Sequence, residues 1–120
     1  MILAMILVGL VALEHIYILV LEMFLWTKPA GLKAFNNTLE LAEETKVLAA
    51  NQGLYNGFLA AGLIWGLLHP NGEIGFQVQV FFLLCVIVAG LYGGFSFSRR
   101  IIYVQAVPSL IALVVLLIAG

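Results

Sequence analysis

Glu14, His15 and Glu22 stand in the stretch LEHIYILVLEMF, residues 13–24, whose other members are Leu, Ile, Val, Met, Phe and Tyr. An ionisable side chain at the centre of a bilayer costs about 2.5 kcal/mol or more, so such groups are functional candidates by default. On a helix, His15 and Glu22 lie within roughly 20° of one face and about 10 Å apart along the axis, with Glu14 off to the side. Glu14 and His15 fall near the middle of the apolar run, where a carboxyl beside an imidazole can exchange a proton near neutral pH. Glu22 lies near the end of the run and suits contact with a polar solute. The first two are read as proton-coupling candidates and Glu22 as a solute-binding candidate. The spacing of these three side chains fits no established metal motif, so no metal and no cofactor are expected, and no residue is assigned a catalytic role.

A second polar cluster is NQGLYNG, residues 51–57. If Trp26 and Val47 mark the same membrane surface, antiparallel helices bring Asn51 to the depth of Glu22, Gln52 to that of Leu21 and Asn56 to that of Tyr17. Gln52 and Asn56, four residues apart, share a helix face. The same depth measure puts Tyr92 and Gln105 in this layer. The solute-binding candidates are therefore Glu22, Asn51, Gln52, Tyr55, Asn56, Tyr92 and Gln105. The competing reading is that these groups only hold the bundle or its oligomer together, since amides also serve as interhelical glue in lipid.

The elements that must position them follow from composition. The chain of 120 residues is 64% hydrophobic and 9% charged, against about a quarter charged in a soluble domain. Lipid cannot satisfy an open backbone and nothing alternates with period two, so the apolar runs are helices. Spans are expected at about 2–26, 47–69, 76–97 and 101–120, joined by a polar loop at 27–46, the tight turn PNGEIG and the short loop Ser98, Arg99 and Arg100. The expectation is one all-α domain over residues 1–120, a four-helix transmembrane bundle. The first run lacks a basic leader and is interrupted by polar residues, so it reads as a true span rather than a cleaved signal. Cys85 is the single cysteine, which leaves no intrachain disulfide to form. A net charge of -1 and the absence of a basic patch argue against nucleic acid as a partner.

All five basic residues lie in the first and third loops. The positive-inside rule then makes those loops cytoplasmic and puts both termini outside, in a bacterial cytoplasmic membrane. Within loop one, Leu32, Phe35, Leu39 and Ala42 recur at helical spacing, and Asn37 with Glu40 has the form of a capping box that starts a helix near Thr38. The pairs Gly53/Gly57, Gly62/Gly66 and Gly90/Gly94 have the small-xxx-small spacing of closely packed membrane helices. Pro108, beside Gln105, frees the carbonyl of Val104 and predicts a local kink.

Three resemblances bear on function. Four spans with an acidic residue in the first resemble the architecture of the small multidrug resistance transporters, although the one-sided basic loops here fix a single orientation. The loop segment KAFNNTLE and the later RRIIY look like signatures of the glutathione-using MAPEG family, with Lys33 (an Arg in that family), Asn37 and Glu40 at the matching positions. That likeness implies a trimeric membrane enzyme or ligand-binding protein acting on a lipid-like or thiol substrate. The segments LEHIYILVLEMFLW, LAANQGLYNGFLAAGL, VIVAGLYGGFS and VQAVPSLIAL, spread over almost the whole chain, resemble the small bacterial integral-membrane proteins of domain-of-unknown-function family 1304. That resemblance implies a fold but no substrate, reaction or cofactor. The residues themselves support a homo-oligomer in contact with membrane lipid that binds or transports an unknown small molecule with proton coupling.

Overall fold

The computed structural model describes residues 1–96 and 99–120. Backbone groups surrounded by lipid must bond within their own segment, and among the described residues there is no strand. The helices are α1 (Ile2–Met23), α2 (Pro29–Ala34), α3 (Leu39–Leu68), α4 (Gly72–Ser96) and α5 (Arg99–Ala119), the last containing a π turn over Ile102–Ala106. Three of them, α1, α4 and α5, are long and apolar enough to cross a membrane. Large apolar side chains including Ile2, Leu3, Leu10, Leu13, Phe81, Val88, Phe95 and Ile118 are exposed. Apolar surface on that scale calls for lipid rather than water. The chain is an all-helical membrane protein.

Helix boundaries follow local chemistry and depart from the span limits in places. α1 ends at Met23, short of Trp26, where the N–H groups of Phe24 and Leu25 both turn to the carbonyl of Val20. Pro29 then opens α2, a position where its missing N–H is harmless. α2 closes on Asn36, which takes the left-handed backbone (φ 50). Asn36 N–H bonds to Lys33 O at 3.3 Å and Asn37 N–H to Leu32 O at 2.9 Å, the paired bonds of a Schellman ending. The capping-box expectation shifts by one residue: Thr38, rather than Asn37, caps α3, its hydroxyl accepting from Leu41 N–H at 3.3 Å while Asn37 Oδ1 accepts from Thr38 N–H at 2.9 Å. Asn71 caps α4, its Oδ1 accepting from the N–H groups of Glu73 at 3.0 Å and Ile74 at 3.1 Å. Arg99 and Arg100 open α5 instead of lying in a loop. Phe97 and Ser98, assigned to the end of span three and to that loop, lie outside the described residues.

The chain divides into two compact units, Met1–Leu13 with Leu59–Gly120, and Glu14–Phe58. In the first, one apolar core draws Ala4, Val8, Val11 and Ala12 from α1, Leu63 from α3, Leu83 and Val86 from α4, and Ala112, Leu113 and Leu116 from α5. Gln79 is the polar exception on α4, buried and donating from Nε2 to the carbonyl of Gly66 at 3.2 Å. Gly90 and Gly94 receive the π turn: a Cβ at Gly90 would lie 2.9 Å from Ala106 N, and one at Gly94 would overlap the side chain of Ile102. The break expected at Pro108 takes the form of that turn. Val107 N–H reaches back five residues to Ile102 O, and Ser109 Oγ donates to Gln105 O, four residues back, at 2.7 Å.

In the second unit, Trp26 organises the polar end. Its Nε1–H donates to Thr45 Oγ1 at 3.1 Å, Thr45 in turn donates to Leu41 O at 2.8 Å, and the Trp26 ring lies 5.0 Å from that of Phe35 on α2. α2 is pressed at Gly31 against the turn that follows α1, where any side chain would collide with the Leu25 carbonyl.

Two substitutions test this packing by denaturation in detergent micelles. Gly90→Leu overfills the contact with the π turn and lowers stability by about 1–3 kcal/mol. Asn71→Ala removes the α4 cap and lowers stability by about 1 kcal/mol.

Candidate functional site

α1 buries one stripe of its surface, and the polar residues are part of it. Ala4, Val8 and Val11 continue into His15, which is 1% exposed, and on to the half-buried Glu22. The helical spacing of His15 and Glu22 therefore survives as a shared face. Glu14, one residue earlier, is half-buried at its edge. His15 Nδ1 and Glu14 Oε1 are 3.9 Å apart, a contact between neighbouring residues. The Glu14 Oε1 atom is itself buried and accepts no hydrogen bond among the described residues. A carboxyl oxygen so placed interacts most strongly with a proton or with a cation brought to it.

The cross-helix contact is made by Glu22. Asn56 Nδ2 donates to Glu22 Oε1 at 2.6 Å and also to the carbonyl of Gln52, one turn back on α3, at 3.2 Å. The second bond holds the amide in a fixed rotamer with its donor side toward the carboxylate. Two glycines on α3 permit this reach: a Cβ at Gly53 would lie 2.7 Å from Met23 Cγ and 3.1 Å from Glu22 Cβ, and one at Gly57 would sit 2.6 Å from Leu19 Cδ1. These contacts correct the depth register expected from Trp26 and Val47. Glu22 meets Gly53 and Asn56 rather than Asn51, because α1 stops at Met23 while α3 begins at Leu39 and runs past it.

Asn51, Gln52 and Tyr55 are exposed on α3. The Tyr55 ring lies 6.1 Å from that of Phe58. In the other unit, Tyr92 is exposed, its backbone carbonyl accepting from Ser96 Oγ at 2.6 Å, and Gln105 is half-buried within the π turn. Of the loop-one residues, Asn37 is engaged in the turn onto Thr38, and Lys33 and Glu40 are exposed. No hydrogen bond joins Lys33, Asn37 and Glu40 among the described residues. Nor is there, among these residues, a group of three or more His, Cys, Asp or Glu side chains that could hold a metal ion.

Two polar residues that sequence reasoning passed over are buried, Gln79 and Ser109. Their signal was available. Gln79 is a lone amide in the apolar run of α4, and Ser109 follows Pro108, where a hydroxyl can serve the carbonyl four residues back.

Comparison with known proteins gives a consistent picture. The sequence model of a family described as "Protein of unknown function (DUF1304)" matches residues 9–117. The chain is 34% identical over 115 residues to "Uncharacterized protein YpaA" of Lactococcus lactis subsp. lactis (strain IL1403), covering 94% of this chain and 95% of that one. No solved structure matches. The matched stretch includes every candidate from Glu14 to Gln105.

A double-mutant cycle measures the cross-helix pair. Glu22→Ala and Asn56→Ala, alone and together, give a coupling of about 0.6–1.7 kcal/mol in denaturation. Glu22→Gln keeps an acceptor at Oε1 and retains most of the stability that Glu22→Ala loses.

Proposed function

Because the chain belongs to the DUF1304 family, whose description carries no activity, we propose its function from the polar groups of α1 and α3. The protein is a multi-pass component of the bacterial cytoplasmic membrane that crosses the bilayer four times, as a four-helix bundle with both termini outside and the segments 27–46 and 98–100 in the cytoplasm. It acts as a homo-oligomer and binds or moves a small polar solute. Glu22 and Asn56 contact the solute, and Glu14 with His15 takes up and releases the coupled proton.

The observation that carries this reading is the Glu22–Asn56 pair, 2.6 Å apart across two helices of a membrane protein. A carboxylate among apolar side chains is costly, and here it is held ready by an amide oriented toward it. The pair can open toward a ligand because an amide and a carboxylate offer both donors and acceptors. Supporting the proton role, His15 is buried on the same face about 10 Å along the axis, and Glu14 Oε1 accepts no hydrogen bond among the described residues. A fourth crossing by α3 is supported by its 30 residues, long enough to span with a polar end to spare.

Reconstitution into liposomes tests the reading. Solute flux driven by a pH gradient is lost in Glu14→Gln while the purified variant keeps its helicity; unchanged flux removes the proton role. Single cysteines in a Cys85→Ser background test the topology with a membrane-impermeant maleimide on intact cells. Glu73→Cys reacts and Glu43→Cys does not; the reverse pattern overturns the orientation.

A further inference from the structure

One face of α3 is used inside its own chain and the other is left over. Ala42, Ala49, Gly53 and Ala60 are buried, and Asn56 is turned to Glu22. Opposite them Leu48, Asn51, Tyr55 and Phe58 are exposed, separated by steps of three, four and three residues. That alternation is the 3.5-residue repeat of a seam between two packed helices. Val47 and Leu54 flank it, both exposed, and Gln52 stands at its edge.

Asn51 is the amide of the stripe, and lipid cannot serve it. Its amide carries two donors and an acceptor oxygen, and among the described residues no side-chain hydrogen bond engages it. Thr45, bonded to Trp26, marks the polar end of the unit. Asn51 lies six residues further along α3, about 9 Å deeper, which is within hydrocarbon if α3 crosses the bilayer. An amide there with no partner keeps the full penalty of leaving water.

We propose that Leu48, Asn51, Tyr55 and Phe58 form a homo-oligomer seam, in which the Asn51 amide pairs with Asn51 of a second copy of this chain. The choice of a second copy rests on two properties. A carboxamide is self-complementary, its N–H matching the carbonyl of an identical group. And five basic residues confined to two stretches of the sequence, 28–46 and 99–100, give every copy the same orientation, so that parallel α3 helices bring Asn51 opposite Asn51 at one depth. The seam rests on the four-crossing topology of α3. It leaves the Glu22–Asn56 face toward α1 free for solute and gives Asn51, Gln52 and Tyr55 a role in assembly.

The test uses the full chain in lipid bilayers, in a Cys85→Ser background. Leu48→Cys and Phe58→Cys each give disulfide-linked dimers on mild oxidation, whereas Val88→Cys, exposed on α4, does not. Energy transfer between labelled copies, followed against lipid dilution, shows association weakened about five- to thirtyfold in Asn51→Leu and retained in Asn51→Gln. Equal cross-linking at Val88→Cys, or unchanged association in Asn51→Leu, overturns the seam. If Phe58→Cys is shielded from a water-soluble maleimide yet forms no dimer, the seam alone fails; if it reacts freely with that reagent, the four-crossing reading fails with it.

Discussion

Glu22 can be paired inside a membrane protein because Gly53 and Gly57 present only hydrogen where α1 crosses α3. A side chain at either position would meet Met23, Glu22 or Leu19 closer than van der Waals contact and press the helices apart, weakening the bond that pairs the carboxylate. Close approach and polar pairing are thus one constraint. The backbone must come near so that Asn56 can reach, and Asn56 must reach so that the burial of Glu22 is tolerable. The same arrangement recurs in the other unit, where Gly66 contacts α4 at Gln79 and the Gln79 amide bonds its carbonyl. Small residues and amides act together in both places, which is how helices associate when the solvent between them is itself apolar.

Much of this was readable before any coordinates. The polar stripe of α1 follows from spacing alone, since His15 and Glu22 share a face on any helix, and the three glycine pairs all meet a facing helix as their spacing implies. Depth was harder to read. The pairing of Glu22 with Asn56 depends on where α1 stops, and that is decided by the turn at residues 24–28 and by α2, whose geometry no hydrophobic pattern encodes. The facing of Asn51 and Tyr55 was encoded, but in the small residues rather than the polar ones. Ala42, Ala49, Gly53 and Ala60 mark the inner side of α3, so the polar residues half a turn away point outward.

α3 stands apart from the three helices long and apolar enough to cross a membrane, for a reason visible in its contacts. Its first turns belong to the polar end, where Thr38 caps the helix and Thr45 holds Trp26. Its middle carries amides on both faces, one inward at Asn56 and one outward at Asn51. Those polar residues keep it out of the set of helices apolar enough to cross by composition. Fitness to span and fitness to carry polar contacts draw on the same residues, and α3 gives up part of the first for the second.

The π turn of α5 gives this helix a phase shift. A turn that accommodates one residue more than its neighbours advances every later side chain by roughly a quarter of a revolution relative to an unbroken helix. The side on which Ile101 and Ile102 meet Gly93 and Gly94, and the side on which Ala112, Leu113 and Leu116 enter the core, are therefore set independently. A single helix in this way carries two facings, one for each end of its length, joined by a segment that works as a swivel fixed in one position.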